Sequence, residues 1–594
     1  MRAFLAVALL ALAPSAQAVD QPLLGALGPG AAVPVALEKL PGALDAGDIE
    51  RYRKIFALQE AGNWHDAEHE IGQLGDTSLM GHVLAQKFLH PTKYRSKFTE
   101  LRAWLGKYAD HPQARRIYKL ALTRKPRKSR APRAPVAHGG RGNPLAAVDT
   151  YEPKPLPRKR LTRAQRRRAR SIRAQVRSRA RRGWPTGAAE ILGGKEAARL
   201  FSTAEYDALA TDIAAGYYFA GKDDNALDFA RRAMRSGQLV PLAHWWGGLA
   251  AWRLGDMAAA LDHFGALAKS DNATGWDIAA GAFWAARASF VARRPQEING
   301  WLAIGATRPR TFYGLLSRRA LALDLEFDWT LPALGDEDAR EVTATALGGR
   351  AVALLQVGRA ADAEAELRNL ARSQPKLIGT LLALASHHNM PGLTLRLAWA
   401  TEAPAPAALY PTTAWVPEER DGVDRALVHA IIRQESAFNT RAKSRAGARG
   451  LMQLMPRTAS YVGRQRSLRG SRRDRLYDPA LNVDLGLKYV SQLLNSKIVG
   501  QDLFRLTVAY NAGPGKLRQW ERRVDYRDDA LLFIESLPSR ETRQFIEHVL
   551  ANLWIYRHRM NQPAPTLDAI VAGDWPRYVG LDRPTRAAEK HVAN

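Results

Sequence analysis

Glu435 stands near the end of a segment whose apolar residues recur at helical spacing. Leu427, Val428, Ile431 and Ile432 precede it, and Asp424 stands where an N-cap is expected. On a 3.6-residue period Leu427 and Ile431 lie below Glu435 on the same side, so its carboxyl group falls on the apolar face at the helix's C-terminal edge. Apolar surroundings disfavour a carboxylate and raise its pKa. The negative end of the helix dipole acts in the same direction. A carboxyl group kept partly protonated near neutral pH can protonate the oxygen of a glycosidic bond. The helix by itself also fits a plainer role, a helix-end glutamate ion-paired with Arg433 or Arg441, and exposed glutamates are common.

The residues that follow narrow the choice. Glu435-Ser436-Ala437-Phe438-Asn439 leads into Ser444, Gly447, Gly450, Gln453, Met455, Pro456, Thr458 and Ala459. Further segments come in order: Leu476-Tyr477-Asp478-Pro479 with Asn482, Leu485 and Gly486; Ala509-Tyr510-Asn511-Ala512-Gly513-Pro514-Gly515; and Glu541-Thr542-Arg543 with Val549 and Leu550. Four segments in this order and spacing, over roughly residues 411–560, resemble the soluble lytic transglycosylases (glycoside hydrolase family 23, with a goose-lysozyme-like fold).

The resemblance implies that Glu435 is the catalytic acid, and that Ser444, Gln453, Met455, Tyr510, Asn511 and Glu541 line a glycan groove. Tyr510 and Met455 offer apolar surface to sugar faces; as residue types they also fit ordinary core. Gln453 and Ser444 offer donors and acceptors to N-acetyl and hydroxyl groups. Glu541 could accept from sugar hydroxyls or pair with Arg540 or Arg543, and the turn Gly447–Gly450 lets backbone approach a ligand closely. Phe545 departs from the family pattern, which often has tyrosine there. So does the loop before Tyr477, with Arg464, Arg466, Arg469, Arg472, Arg473 and Arg475.

Ordinary glycosidases use two carboxylates. The resemblance implies a single one, which protonates the oxygen between N-acetylmuramic acid and N-acetylglucosamine and then deprotonates the muramoyl C6 hydroxyl, leaving a 1,6-anhydro end. Peptidoglycan glycan strands are then the substrate, with no cofactor. No clustered His/Asp ligands in the sequence argue for a metal. Two other readings compete: a goose-type hydrolase with Asp478 or Glu541 as second carboxylate, and a non-enzymatic wall-binding scaffold.

These residues need a scaffold to position them. The sequence predicts a mainly α chain, an N-terminal α-superhelix of helical hairpins followed by a lysozyme-like α-rich domain. Two-helix units stand out at Ala61–Ile71, Ala215–Met234, Ala243–Ala268 and Gly348–Ala371, with turns at Gly255-Asp256-Met257 and Gly358-Arg359-Ala360. Such hairpins bury their apolar faces only by stacking. Their irregular period favours a superhelix over a strict tetratricopeptide array, and the lack of period-two alternation predicts few strands. Thr311-Phe312-Tyr313-Gly314-Leu315-Leu316 loosely resembles the family's linker region. Superhelix and linker are expected over 19–400, a proline linker near Thr401–Tyr410, the catalytic domain over 411–578 and a tail over 583–594.

The chain of 594 residues is 46% hydrophobic, enough for large cores, and carries a net charge of +29. The segment 124–182 holds 21 Lys or Arg against Asp149 and Glu152 alone. Its proline-rich first half reads as a flexible insertion, and Leu161–Arg182 as either an Arg-rich helix or a solvated loop. Such charge suits an anionic wall or membrane surface. Arg2, the apolar run Phe4–Ala13 and Ala16-Gln17-Ala18 read as a cleaved signal (1–18), which predicts a soluble periplasmic protein and makes nucleic acid an unexpected partner. The absence of cysteine excludes disulfides, thiolate metal sites and a lipoprotein anchor.

Overall fold

The computed structural model describes residues 42–136, 154–401, 403–417 and 422–582. The expected signal, the tail and the middle of the basic insertion lie outside these residues. The described elements are helices; pairing outside them is limited to isolated bridges such as Lys443 with Arg449 and Arg449 with Leu454. No described helix is long and apolar enough to cross a membrane.

The chain divides into two compact units. One joins 42–136 to 328–414 and consists of stacked hairpins. Helix Ala46–Ala61, capped by Asp45, ends at Gly62 in the left-handed region (φ 76°), and Trp64–Ile71 returns. Ala346–Gln356 and Ala360–Ser373 repeat the pattern around Gly358. Phe88, Phe98, Leu101, Trp104, Leu105 and Ile117 form an apolar core, and Trp104 Nε1 donates to the Gly81 carbonyl at 3.0 Å. Behind it His82, His111 and Glu366 meet in the interior, from positions far apart in the sequence. Arg350 and His82 already share the Glu366 carboxylate. His111 Nδ1 accepts from the Gln113 amide at 3.1 Å, which places the ring proton on Nε2. This arrangement suits a neutral polar tie between segments better than a bound cation.

The other unit joins 154–327 to 415–582. Its first helix, α1 (Arg163–Arg181), resolves the two readings of the Arg-rich stretch in favour of order. Thr162 and Gln165 form a capping box, and Ala169, Ile172, Val176 and Ala180 make a buried stripe. Acids on neighbouring helices offset part of the charge: Arg168 binds Glu196 through two bonds of 2.7 Å, Arg173 meets Glu205 and Arg177 meets Asp212, each at 2.8 Å. The two exposed pairs, at Glu196 and Asp212, are screened by solvent and contribute little, so the apolar stripe does most to hold the helix. Hairpins follow through Thr203–Phe219 with Asp223–Ala233, Leu242–Leu254 with Met257–Ala268, and Gly275–Val291 with Pro295–Ala306.

Five helices frame the C-terminal region: α2 (Arg425–Ser436), α3 (Pro456–Val462), α4 (Pro479–Leu494), α5 (Leu503–Ala512) and α6 (Arg540–Arg559). Asp424 caps α2, its Oδ1 accepting from the Leu427 amide at 3.0 Å. Its Oδ2 accepts from Arg557 Nη2 at 3.1 Å, with both side chains fully buried, which ties α2 to the far end of α6. Asp478, Asp502 and Ser539 cap α4, α5 and α6 in the same manner.

Candidate active site

Glu435 occupies the penultimate position of α2, where the buried face of Leu427, Val428, Ile431 and Ile432 reaches its end. Ala437 and Phe438 follow with φ of 48° and 60°. Two successive left-handed residues without glycine cost on the order of 1 kcal/mol or more each, and the buried Phe438 ring holds the turn in place. Among the described residues no cation pairs with Glu435. Arg433 donates to Asn552 Oδ1 at 2.7 Å, and Arg441 lies 5.9 Å from the Tyr477 ring centroid. The helix-end ion pair is therefore not formed. Burial pushes the Glu435 carboxyl up to about 8, and the nearby negative charge of Glu541 adds to the effect. A group in this state is largely protonated at neutral pH.

The hairpin between α2 and α3 carries Ser444 and Gln453. Ser444 Oγ accepts from the Ala448 amide at 3.0 Å, which leaves its own proton to donate. Gln453 takes a left-handed backbone (φ 46°), and its Nε2 donates to the carbonyls of Gly450 (2.8 Å) and Ala442 (3.2 Å). Its Oε1 is left as an acceptor. Gly450 (φ 80°) is obligatory: a Cβ there would lie 2.2 Å from the Leu476 carbonyl oxygen and 2.3 Å from Asn482 Nδ2. Met455, at the start of α3, is 39% exposed, unlike a core methionine.

Tyr510 comes from the last turn of α5. Its hydroxyl donates to the Met452 carbonyl at 2.7 Å, and its ring lies parallel to Phe545 (6.1 Å between centroids, 5° between planes). Burial, with the charge of Glu435 beside it, holds the phenol well above its ordinary pKa. Phe545 stacks without adding a hydroxyl. Asn511 Oδ1 accepts from Thr542 Oγ1 at 2.8 Å, joining the end of α5 to the start of α6 and leaving the amide nitrogen to donate. Glu541, in the first turn of α6, is exposed and pairs with neither Arg540 nor Arg543. Arg543 instead donates to the Leu537 carbonyl and lies over the Phe219 ring at 4.9 Å.

Two positioning residues carried no role in the sequence reading. Asn482, fully buried on α4, accepts from the Met452 amide at 2.8 Å and donates to the carbonyls of Arg449 (3.0 Å) and Leu476 (2.9 Å). Its place in the segment Leu476–Gly486 marked it in the sequence, without indicating what it holds. Tyr489 packs 5.6 Å from Tyr510, and nothing in its sequence context marked it.

Comparison with known proteins bears on the family and the fold. Residues 414–533 match the family profile described as Transglycosylase SLT domain. The chain is 39% identical over 156 residues to the soluble lytic murein transglycosylase of Escherichia coli K12, covering 26% of this chain and 23% of that protein. It is 33% identical over 145 residues to a putative soluble lytic murein transglycosylase of Haemophilus influenzae, 24% of each. The matched stretch thus spans about a quarter of these relatives. In fold, the chain is similar to an inactive mutant of lytic transglycosylase Slt from Pseudomonas aeruginosa (TM-score 0.53, 21% identity, 91% of this chain and 92% of that one). It is also similar to the 70-kDa soluble lytic transglycosylase in complex with bulgecin A (TM-score 0.53, 19% identity, 89% and 99%). By its SLT segment and by its helical fold, the chain resembles the soluble lytic transglycosylases.

Proposed function

We propose that this protein is a lytic transglycosylase that cleaves the β-1,4 bond between N-acetylmuramic acid and N-acetylglucosamine in peptidoglycan. The observation that carries the reading is Glu435: a carboxyl group on an apolar face, without an ion pair, held largely protonated, amid the four motif segments. Glu435 protonates the bridging oxygen as the bond breaks. The substrate's own acetamido oxygen stabilises the anomeric carbon. Glu435, now ionised, takes the proton of the muramoyl C6 hydroxyl, which attacks C1 and closes the 1,6-anhydro ring. No water is consumed, and holding the nucleophile in place gains effective molarity. Ser444, Gln453, Met455, Tyr510, Asn511 and Glu541 bind the strand around this centre. No cofactor enters the scheme.

The hydrolase reading needs a second carboxylate aimed at water. Asp478 is occupied in capping α4. Among the described residues Glu541 is the carboxylate whose charge bears on Glu435, and in this proposal it binds sugar hydroxyls. Digestion of purified sacculi in heavy-oxygen water decides between them. Transglycosylation yields unlabelled ends lighter by one water than hydrolytic ends; mostly labelled, reducing ends overturn the proposal.

The remaining assignments are part of the same proposal. The segment 19–400 is the scaffold, 411–578 the catalytic domain, and the enzyme works in the periplasm after loss of residues 1–18. The exposed arginines of the insertion, among them Arg163, Arg166, Arg167 and Arg170 on one face of α1, hold it to an anionic wall or membrane surface.

A further inference from the structure

We propose that the arginine-rich knuckle between α3 and α4 binds the carboxylates of peptide stems carried by the glycan strand, so that the enzyme prefers stem-bearing over stripped strands; this rests on the glycan-cleaving reading above. Arg464, Arg466, Arg469, Arg472, Arg473 and Arg475 are all exposed. Asp474, the one acid among them, accepts from Arg449 Nε at 3.3 Å. Among the described residues none of the six arginines forms an ion pair.

Charge of this density normally favours an open, solvated loop. Here it is folded into two short turns, Arg466–Arg469 and Arg473–Tyr477, anchored by the fully buried Leu468 and Leu476. The second turn is fastened to the hairpin of Ser444 and Gln453: Asn482 bridges the carbonyls of Arg449 and Leu476, and Gly450 allows the backbones to touch. The fold therefore holds six like charges beside the proposed glycan groove, where their mutual repulsion is uncompensated.

Position and residue type both point to the substrate. A fixed cationic knuckle at a groove edge meets what the bound strand itself projects, and muramoyl residues project peptides with free carboxylates. The guanidinium fork matches carboxylate geometry in a way that lysine does not, and the knuckle contains no lysine. Tyr461, 79% exposed at the end of α3 and one turn beyond Arg457, adds an apolar platform beside it.

The test measures equilibrium binding with turnover blocked by Glu435→Gln in the full chain. Short strands with intact stems are titrated against the same strands after enzymatic removal of the stems. Combining Arg469→Gln, Arg472→Gln and Arg473→Gln should weaken binding to stem-bearing strands about tenfold, since exposed charge pairs contribute a few-fold each. Binding to stripped strands should not change. Equal weakening on both, or none on either, overturns the inference. So does loss of binding to phosphatidylglycerol vesicles with strand binding intact, which would make the partner a lipid surface. If the triple change prevents folding, Arg464→Gln with Arg466→Gln is read by the same criteria. A wild-type chain that cleaves strands while these variants bind normally refutes the knuckle alone; a wild-type chain that cleaves none refutes the glycan reading itself.

Discussion

The hydroxyl of Tyr510 donates to the carbonyl of Met452 at 2.7 Å, so the ring beside Glu435 is fastened to the hairpin that bears Gln453. That bond joins α5 to a segment without regular secondary structure, and Phe545 behind the ring supplies no replacement hydroxyl. Tyr510→Phe should lower stability by about 1 kcal/mol, the usual net worth of such a bond, because it leaves the Met452 carbonyl unpaired. The larger effect should fall on kcat, by tenfold or more, as the hairpin loosens against the acid. Thermal melts and steady-state kinetics on one preparation separate the two. An unchanged kcat would mean that Tyr510 is core alone.

Glu435→Gln should retain the fold and strand binding and lose turnover. A general acid typically contributes a factor of 100 or more, and retention of over about a tenth of the activity contradicts the assignment. The substitution should also change how stability depends on pH. The folded-state pKa of Glu435 is raised above its unfolded value, to about 8. Its contribution is therefore fully present below about pH 4.5 and is lost as pH rises through about 8. The variant should match wild type in melting temperature near pH 5 and exceed it near pH 9.

Glu541→Gln removes the negative charge that adds to the raised pKa of Glu435. Without it the ionised form is less disfavoured, so the pKa of Glu435 should fall. The alkaline limb of kcat should move to lower pH, by up to about one unit for a partly screened charge. A pH–rate profile on sacculi reads this directly. A limb that stays in place while KM rises would assign Glu541 to sugar binding only.

The faces of α1 should separate cleanly. Val176 is buried in the apolar stripe, and Val176→Asp should destabilise by about 3 kcal/mol or more through an unpaired buried charge. Changing the exposed Arg163, Arg166, Arg167 and Arg170 together to Gln should leave the melting temperature unchanged. It should also weaken sedimentation with sacculi, most at low salt. Substitution is a better probe than deleting the basic tract, because Arg124 donates to Ser96 Oγ at 2.6 Å and Ser202 donates to the Pro157 carbonyl at 2.6 Å. Both ends of the tract are built into the fold.

What the sequence determined by itself was local. The cap at Asp424, the apolar face below Glu435 and the turns at Gly255 and Gly358 are set within a few residues, by backbone preference and helical period. The helical class followed from the same signals, and the residues proposed to line a glycan groove came from the resemblance of four short segments whose order could be read along the chain. Tertiary structure decided what depends on approach between distant segments. It brought Glu541 near enough to bear on Glu435, tied Tyr510 to Met452, and used Asn482 to lock hairpin and arginine knuckle together. It also buried the stripe of Ala169, Ile172, Val176 and Ala180, which holds as a helix what could have been a solvated loop, and set Glu196, Glu205 and Asp212 beside its arginines. A charge density or a lone carboxylate has no fixed meaning along the chain. Its pKa and its partners follow from dielectric and distance, and only packing sets those.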